Sequence, residues 1–118
     1  MRESKFRAWS RKHQKMWHEI QTTAYFHAFI EDEDIEVLQY TGLKDKNGVE
    51  IYEGDILGYV SEDEGKSYRE RVGWDKEQLC WGLTNSESYT VTLAEMGDGV
   101  GEVVGNIYES PHLLDNNS

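Results

Sequence analysis

The sequence predicts a mainly β fold, with a β-rich α+β arrangement as its alternative: short antiparallel strands in a small barrel or half-barrel with SH3-like features. Three observations lead there. Between Gln39 and Val60, the turn signals Asn47-Gly48 and Glu53-Gly54-Asp55 separate three runs of strand-forming side chains. Tyr89-Thr90-Val91-Thr92-Leu93 alternates strictly, placing Tyr89, Val91 and Leu93 on one face. Asp75-Lys76-Glu77 and Gly97-Asp98-Gly99 interrupt further strand-like runs at turn-like intervals.

The elements follow in order. Lys5–Trp9 alternates as a half-buried strand, with Phe6 and Ala8 opposite Arg7 and Trp9. Ser10–Gln14 is polar and reads as a turn. Residues 16–30 are ambiguous. Trp17, Ile20, Ala24 and His27 fall at helical spacing, whereas Thr22-Thr23-Ala24-Tyr25-Phe26 suits a strand. Glu31-Asp32-Glu33-Asp34 has no apolar partners and is expected to be a mobile, solvated loop. Val37–Tyr40, Val49–Ile51 and Ile56–Val60 are strands joined by the two turns, where Gly48 and Gly54 supply positive φ. Glu62-Asp63-Glu64-Gly65 marks an exposed loop. Ser67–Trp74 and Gln78–Thr84 form a hairpin about Asp75-Lys76-Glu77. Val100–Tyr108 is the last strand, Pro111 ends pairing, and Leu113-Leu114 pack as a short helical turn.

The segment QYTGLKDKNGVEIYEGDIL, Gln39–Leu57, resembles the central signature of the YopX family, small proteins found mostly in bacteriophages, prophages and their host bacteria. Phe6-Arg7-Ala8-Trp9 followed by Lys15-Met16 is similar to that family's opening phrase. Gly105-Asn106-Ile107-Tyr108-Glu109 with Pro111 and Leu113-Leu114 is similar to its closing phrase. The three blocks lie in family order and bracket nearly the whole chain. One departure is Ser10, where the family often has Asp, a change expected to act on a turn. The resemblance implies a fold and a phage or prophage origin, and it favours a strand pair over residues 16–30. It brings no biochemical activity with it.

At 118 residues the chain reads as a single domain, 1–118, large enough for a modest core. Four Trp, seven Tyr and three Phe exceed what so small a core comfortably absorbs, so a homo-oligomer is expected. The expected core is Phe6, Trp9, Tyr40, Ile51, Tyr52, Ile56, Trp81, Val104, Ile107 and Tyr108. A single cysteine, Cys80, excludes an internal disulfide. With no apolar run of membrane-spanning length and no signal-peptide pattern, the expected location is the host bacterial cytoplasm, with no membrane partner. The net charge of −11 is unevenly placed. Residues 1–18 hold six of the twelve Lys and Arg against Glu3 alone, so nearly all the acids lie beyond. A basic arm on an acidic body suggests an internal clamp or a partner contact.

No constellation carries chemistry. The four histidines show no metal-ligand spacing, and the acids of residues 31–36 lack EF-hand order. Cys80, between Leu79 and Trp81, reads as a small buried hydrophobe. Gly97–Gly101 lacks the Lys-Ser/Thr and the helix of a phosphate loop. A non-enzymatic binding protein is therefore expected, with no catalytic residue, metal or cofactor. Two candidate surfaces remain. Arg7, Trp9, Arg11, Lys12, Lys15 and Trp17 interleave cations with rings and suit nucleic acid or a partner. Glu31, Asp32, Glu33 and Asp34 suit a basic host protein.

Overall fold

The structure, a computed structural model, describes residues 4–60, 64–84, 91–93 and 101–115. Nine strands lie among the described residues: β1 (Phe6–Ser10), β2 (Lys15–Trp17), β3 (Ile35–Lys44), β4 (Glu50–Tyr52), β5 (Asp55–Val60), β6 (Ser67–Asp75), β7 (Cys80–Thr84), β8 (Val91–Thr92) and β9 (Glu102–Asn106). A 3₁₀ turn at Ile20–Thr22 and a short helix, α1 (Phe26–Glu31), separate β2 from β3, and a single turn, α2 (His112–Asp115), follows β9. All pairings are antiparallel, in two sheets ordered β2-β1-β3-β4 and β8-β7-β6-β5-β9, one of them a half-barrel. The mainly β expectation holds. No helix among the described residues is long and apolar enough to cross a membrane.

Alternation explains the core. Val72 pairs with Leu83 across β6 and β7, and Leu57 of β5 joins the same face. With Ile51 and Leu93 they form a buried cluster, against which Leu43, Tyr59, Trp81, Val91 and Val103 pack. Trp9, Tyr40, Ile51, Tyr52 and Ile56 are buried as expected. Val104 is not, at 41% exposed. The register of β9 on β5 slips between Val103 and Gly105, and the extra residue of that bulge turns outward. Phe6, Trp81, Ile107 and Tyr108 are half-buried. Ile107 and Tyr108 belong to a turn, because β9 ends at Asn106.

Two carboxylate-bearing turns fasten the sheets together. In the first, Gly54 (φ +88°) donates its N–H to the Val72 carbonyl at 2.8 Å and accepts from the Ile107 N–H at 2.9 Å. Beside it, Asp55 Oδ2 accepts from the Tyr52 N–H at 2.7 Å. In the second, the buried Asp45 carboxylate accepts from the amides of Asn47, Val49 and Val103 at 2.8, 2.9 and 2.8 Å. That last bond ties the β3–β4 turn to the outer edge of β9, covering backbone that would otherwise be an open edge. Gly105 completes the closure. A Cβ there would lie 2.9 Å from Leu113 Cδ1, so α2 packs only onto a bare backbone.

Two expectations for the first third of the chain are corrected. β1 is buried from Arg7 through Ser10 rather than on one face, because it lies inside its sheet between β2 and β3 with both faces covered. The strand pair over residues 16–30 is not formed: only Lys15–Trp17 is extended. The hydroxyls of Thr22 and Thr23 donate back to the carbonyls of Glu19 and Ile20, a local competitor to sheet pairing. The helical spacing did not mark the inner face either, since Ala24 and His27 are exposed while Phe26 and Phe29 pack against Phe6 and Trp17. The β6–β7 hairpin and the Leu113-Leu114 turn form as expected. Tyr89, Val100 and the segments Glu62-Asp63 and Gly97–Gly99 lie outside the described residues.

Candidate partner-binding cleft

The fold brings the two sequence-predicted surfaces together. The turn after β1 and the segment after α1 lie side by side, because β1 pairs with β3 so that Ser10 faces Ile35. The Arg11 N–H donates to the Asp34 carbonyl at 3.2 Å, and the Arg11 guanidinium donates to the Glu33 carbonyl at 2.7 Å and pairs with the Glu36 carboxylate. The Asp34 carboxylate accepts from the Ser10 hydroxyl at 2.5 Å and from the Lys12 N–H at 2.7 Å. The Ser10 bond, the largest influence, holds Asp34 below its ordinary range; burial opposes it, and the Lys12 amide adds to the lowering. The Asp32 carboxylate accepts from the Asp34 N–H at 2.9 Å. Residues 31–34 are therefore a helix end followed by a hydrogen-bonded turn, with Glu31, Asp32 and Glu33 exposed as expected of a solvated segment. Ser10, the departure from the family pattern, sits in the turn after β1, where its Oγ accepts from the His13 N–H.

Arg7 and Trp9 are removed from the candidate contact surface, because both are interior. Arg7 is 6% exposed, its guanidinium 2.5 Å from Asp55 Oδ1 and 4.7 Å from the centre of the Tyr52 ring. Burial pushes the Asp55 carboxyl up, while Arg7 and the Tyr52 amide pull it back down. Trp9, 4% exposed, packs against Tyr108 at 5.7 Å between ring centres. These two side chains join β1 to the Gly54-Asp55 turn and to the turn after β9. Arg11 is exposed but engaged by Glu33 and Glu36.

Lys12, Lys15 and Trp17 remain at the surface, and Lys12 and Trp17 line a cleft of about 440 Å³. Its lining includes Lys12, His13 and Trp17 from β2 and the turn before it, and, from α1 and its caps, Tyr25, Phe29 and Asp32. Those last three recur at i, i+4 and i+7, which puts them on one face of α1 and its caps. Trp17 and Phe29 lie 5.9 Å apart at 52°, and the Lys15 ammonium sits 5.5 Å over the Trp17 ring. Tyr25 is 72% exposed. Glu31 and Glu33 are exposed beside the cleft and form no ion pair among the described residues. Tyr25 and Phe29 escaped the sequence reading. The i, i+4, i+7 spacing could have found them, but only once the segment is known to be helical.

No group of three or more His, Cys, Asp or Glu among the described residues is placed to hold a metal ion. The half-buried Cys80 opens β7 opposite Asp75. The arrangement around the cleft offers rings, one ammonium and two carboxylates, which is the chemistry of recognition.

A family model described as YopX protein matches residues 18–115. Among solved structures, protein EF1440 from Enterococcus faecalis is similar, with a TM-score of 0.66 over 97% of this chain and 99% of that one at 22% identity. At that identity the likeness shows a shared fold alone. No curated protein sequence matches the chain.

Proposed function

This chain belongs to the YopX protein family, and from that premise we propose that it is a phage- or prophage-derived binding protein that acts without catalysis, as an accessory or host-interaction factor in the bacterial cytoplasm. One observation carries the reading. The basic and acidic segments that stand apart in sequence converge on a single aromatic cleft, lined by Lys12, Trp17, Tyr25, Phe29, Asp32 and Asp34. Ring-lined concavities with a few convergent polar groups are the usual form of a recognition site. Self-association belongs to the same reading. Ile30, 53% exposed in α1 and outside the cleft lining, leaves apolar surface for a second copy to cover.

A nucleic-acid role is the second reading, and the Lys15–Trp17 stack supports it. It has lost Arg7 and Trp9 to the interior and Arg11 to internal pairing, which leaves Lys12 and Lys15 to face phosphates beside four carboxylates of residues 31–34.

Affinity capture from host lysate, with and without nuclease, separates the two. The binding reading expects a stoichiometric protein partner that survives nuclease and is lost with Tyr25→Ala and Asp32→Asn together. Partners that vanish with nuclease, and with Lys12→Ala and Lys15→Ala, would replace it with the nucleic-acid reading.

A further inference from the structure

Resting on the binding role of this cleft, we infer that its occupant is an arginine side chain presented by a basic segment of a partner protein. The walls argue for a cation. Trp17, Tyr25 and Phe29 line the space, and aromatic faces carry negative quadrupoles that attract positive charge. The Trp17 indole already carries a cation, since the Lys15 ammonium lies 5.5 Å from its ring centre.

Charge argues the same way. Asp34 is taken up by the Ser10 hydroxyl and the Lys12 amide. Among the described residues Asp32 accepts the Asp34 N–H on Oδ1 and nothing on Oδ2, which leaves that oxygen to a ligand. Glu31 and Glu33, which form no ion pair among the described residues, add carboxylates beside the cleft, on a chain whose net charge is −11. Lys12 in the lining and Lys15 over the Trp17 ring are two cations against the four acids of residues 31–34. A phosphate would meet this field unfavourably, and a cation favourably.

The shape of the occupant selects arginine over lysine. A guanidinium is planar, stacks on rings, and presents paired N–H donors to a carboxylate, while shedding water more readily than an ammonium. The cleft is at the small end of ligand pockets, so it suits one side chain with its flanking backbone.

The test is fluorescence anisotropy at low salt with a short labelled peptide alternating arginine and glycine, compared with peptides carrying lysine or citrulline instead. The arginine peptide should bind, the lysine peptide several-fold more weakly, and the neutral citrulline peptide not at all. Tyr25→Ala and Asp32→Asn alter exposed side chains and leave the fold intact, so unfolding does not mask their effect. Each should weaken the arginine peptide by roughly tenfold. Equal binding of the arginine and citrulline peptides, or unchanged binding by both variants, would overturn the inference. If lysate capture depends on Tyr25 and Asp32 while the arginine peptide does not bind, the binding role stands and the arginine assignment falls. If neither occurs, both fall. Binding of a single-stranded oligonucleotide at these residues in place of the peptide would also overturn it.

Discussion

Replacing Gly54 with alanine should be among the most damaging single-atom-scale changes this protein can suffer, through two separable costs. The first is conformational. Gly54 sits at φ +88°, where a Cβ is crowded by its own backbone at a cost of about 1–2 kcal/mol. Gly48, at φ +80°, has nothing within 4 Å of its would-be Cβ, so Gly48→Ala measures that cost alone. The second is steric. A Cβ on Gly54 would stand 2.8 Å from Tyr108 Cε2, well inside ordinary carbon contact. Tyr108 cannot simply swing away. Its ring packs on Trp9, and its N–H is held by Asn106 Oδ1 at 3.0 Å. Overpacking of this kind costs about 1–3 kcal/mol, which brings the total to roughly 2–5 kcal/mol. Urea unfolding followed by far-UV circular dichroism should show Gly48→Ala losing about 1–2 kcal/mol and Gly54→Ala distinctly more. In a Tyr108→Leu background, which removes the ring edge, Gly54→Ala should fall back toward the Gly48→Ala value. Equal losses for the two glycines would refute the reasoning, because the Tyr108 contact could then carry no energy.

Three further outcomes can be checked on the same preparation. Burial pushes the Asp45 carboxyl up, but the amides of Val103, Val49 and Asn47 outweigh it and hold it below its ordinary range. A group with a depressed folded pKa stabilises above its unfolded pKa, and that stability is lost as pH falls through the folded value. Asp45→Asn turns an N–H donor toward the Val103 amide and should cost about 2 kcal/mol at pH 7. The gap to the parent should narrow below about pH 4, and a gap independent of pH would count against the three-amide cradle. Arg7→Met strands the buried Asp55 and should cost about 3–5 kcal/mol, much of it recovered when Asp55→Asn is added, because Asn can still accept the Tyr52 N–H. A double variant no more stable than Arg7→Met alone would deny the pairing. Ser10→Ala should raise the Asp34 pKa toward the ordinary carboxylate value in an NMR titration, and an unmoved pKa would remove Ser10 as its main cause.

How legible these features were follows from how local their causes are. The Asn47-Gly48 and Gly54-Asp55 turns could be read directly, since positive φ and a carboxylate near free amides are properties of a few neighbouring residues. Residues 16–30 could not. Their aromatic and β-branched content suits either state, and what selects the helix is distant: Phe26 on Phe6 and Phe29 on Trp17. The same holds for Arg7, whose partner Asp55 is 48 residues away, so a basic arm seen in sequence gives no sign that one of its cations is structural. Val104 looked like core because strand-like composition carried on through β9, and the one residue-level hint of the bulge that turned it out is Gly105 beside it. The cleft suffered from both problems. Its cations and carboxylates were visible as two charge runs, but their meeting depends on the β1–β3 pairing, and its rings depend on the helix.

The fate of the N-terminal cations also changes what the net charge means. Lys5 pairs with Glu50, Arg7 with Asp55 and Arg11 with Glu36, so three of the five described lysines and arginines before residue 19 neutralise acids of this same chain. The excess of acids is thereby left on the outside, where salt acts on it. Two opposite responses should follow. Raising salt screens the repulsion among surface carboxylates while leaving the buried Arg7–Asp55 pair almost untouched, so the urea midpoint should hold steady or rise. The same salt weakens attraction between the cleft and a cationic peptide, so arginine-peptide affinity should fall steeply over that range. A midpoint that drops with salt would mean that exposed pairs such as Arg11–Glu36 hold the fold together. That would return the basic arm to the role of an electrostatic clamp and leave little free charge to guide a partner to the cleft.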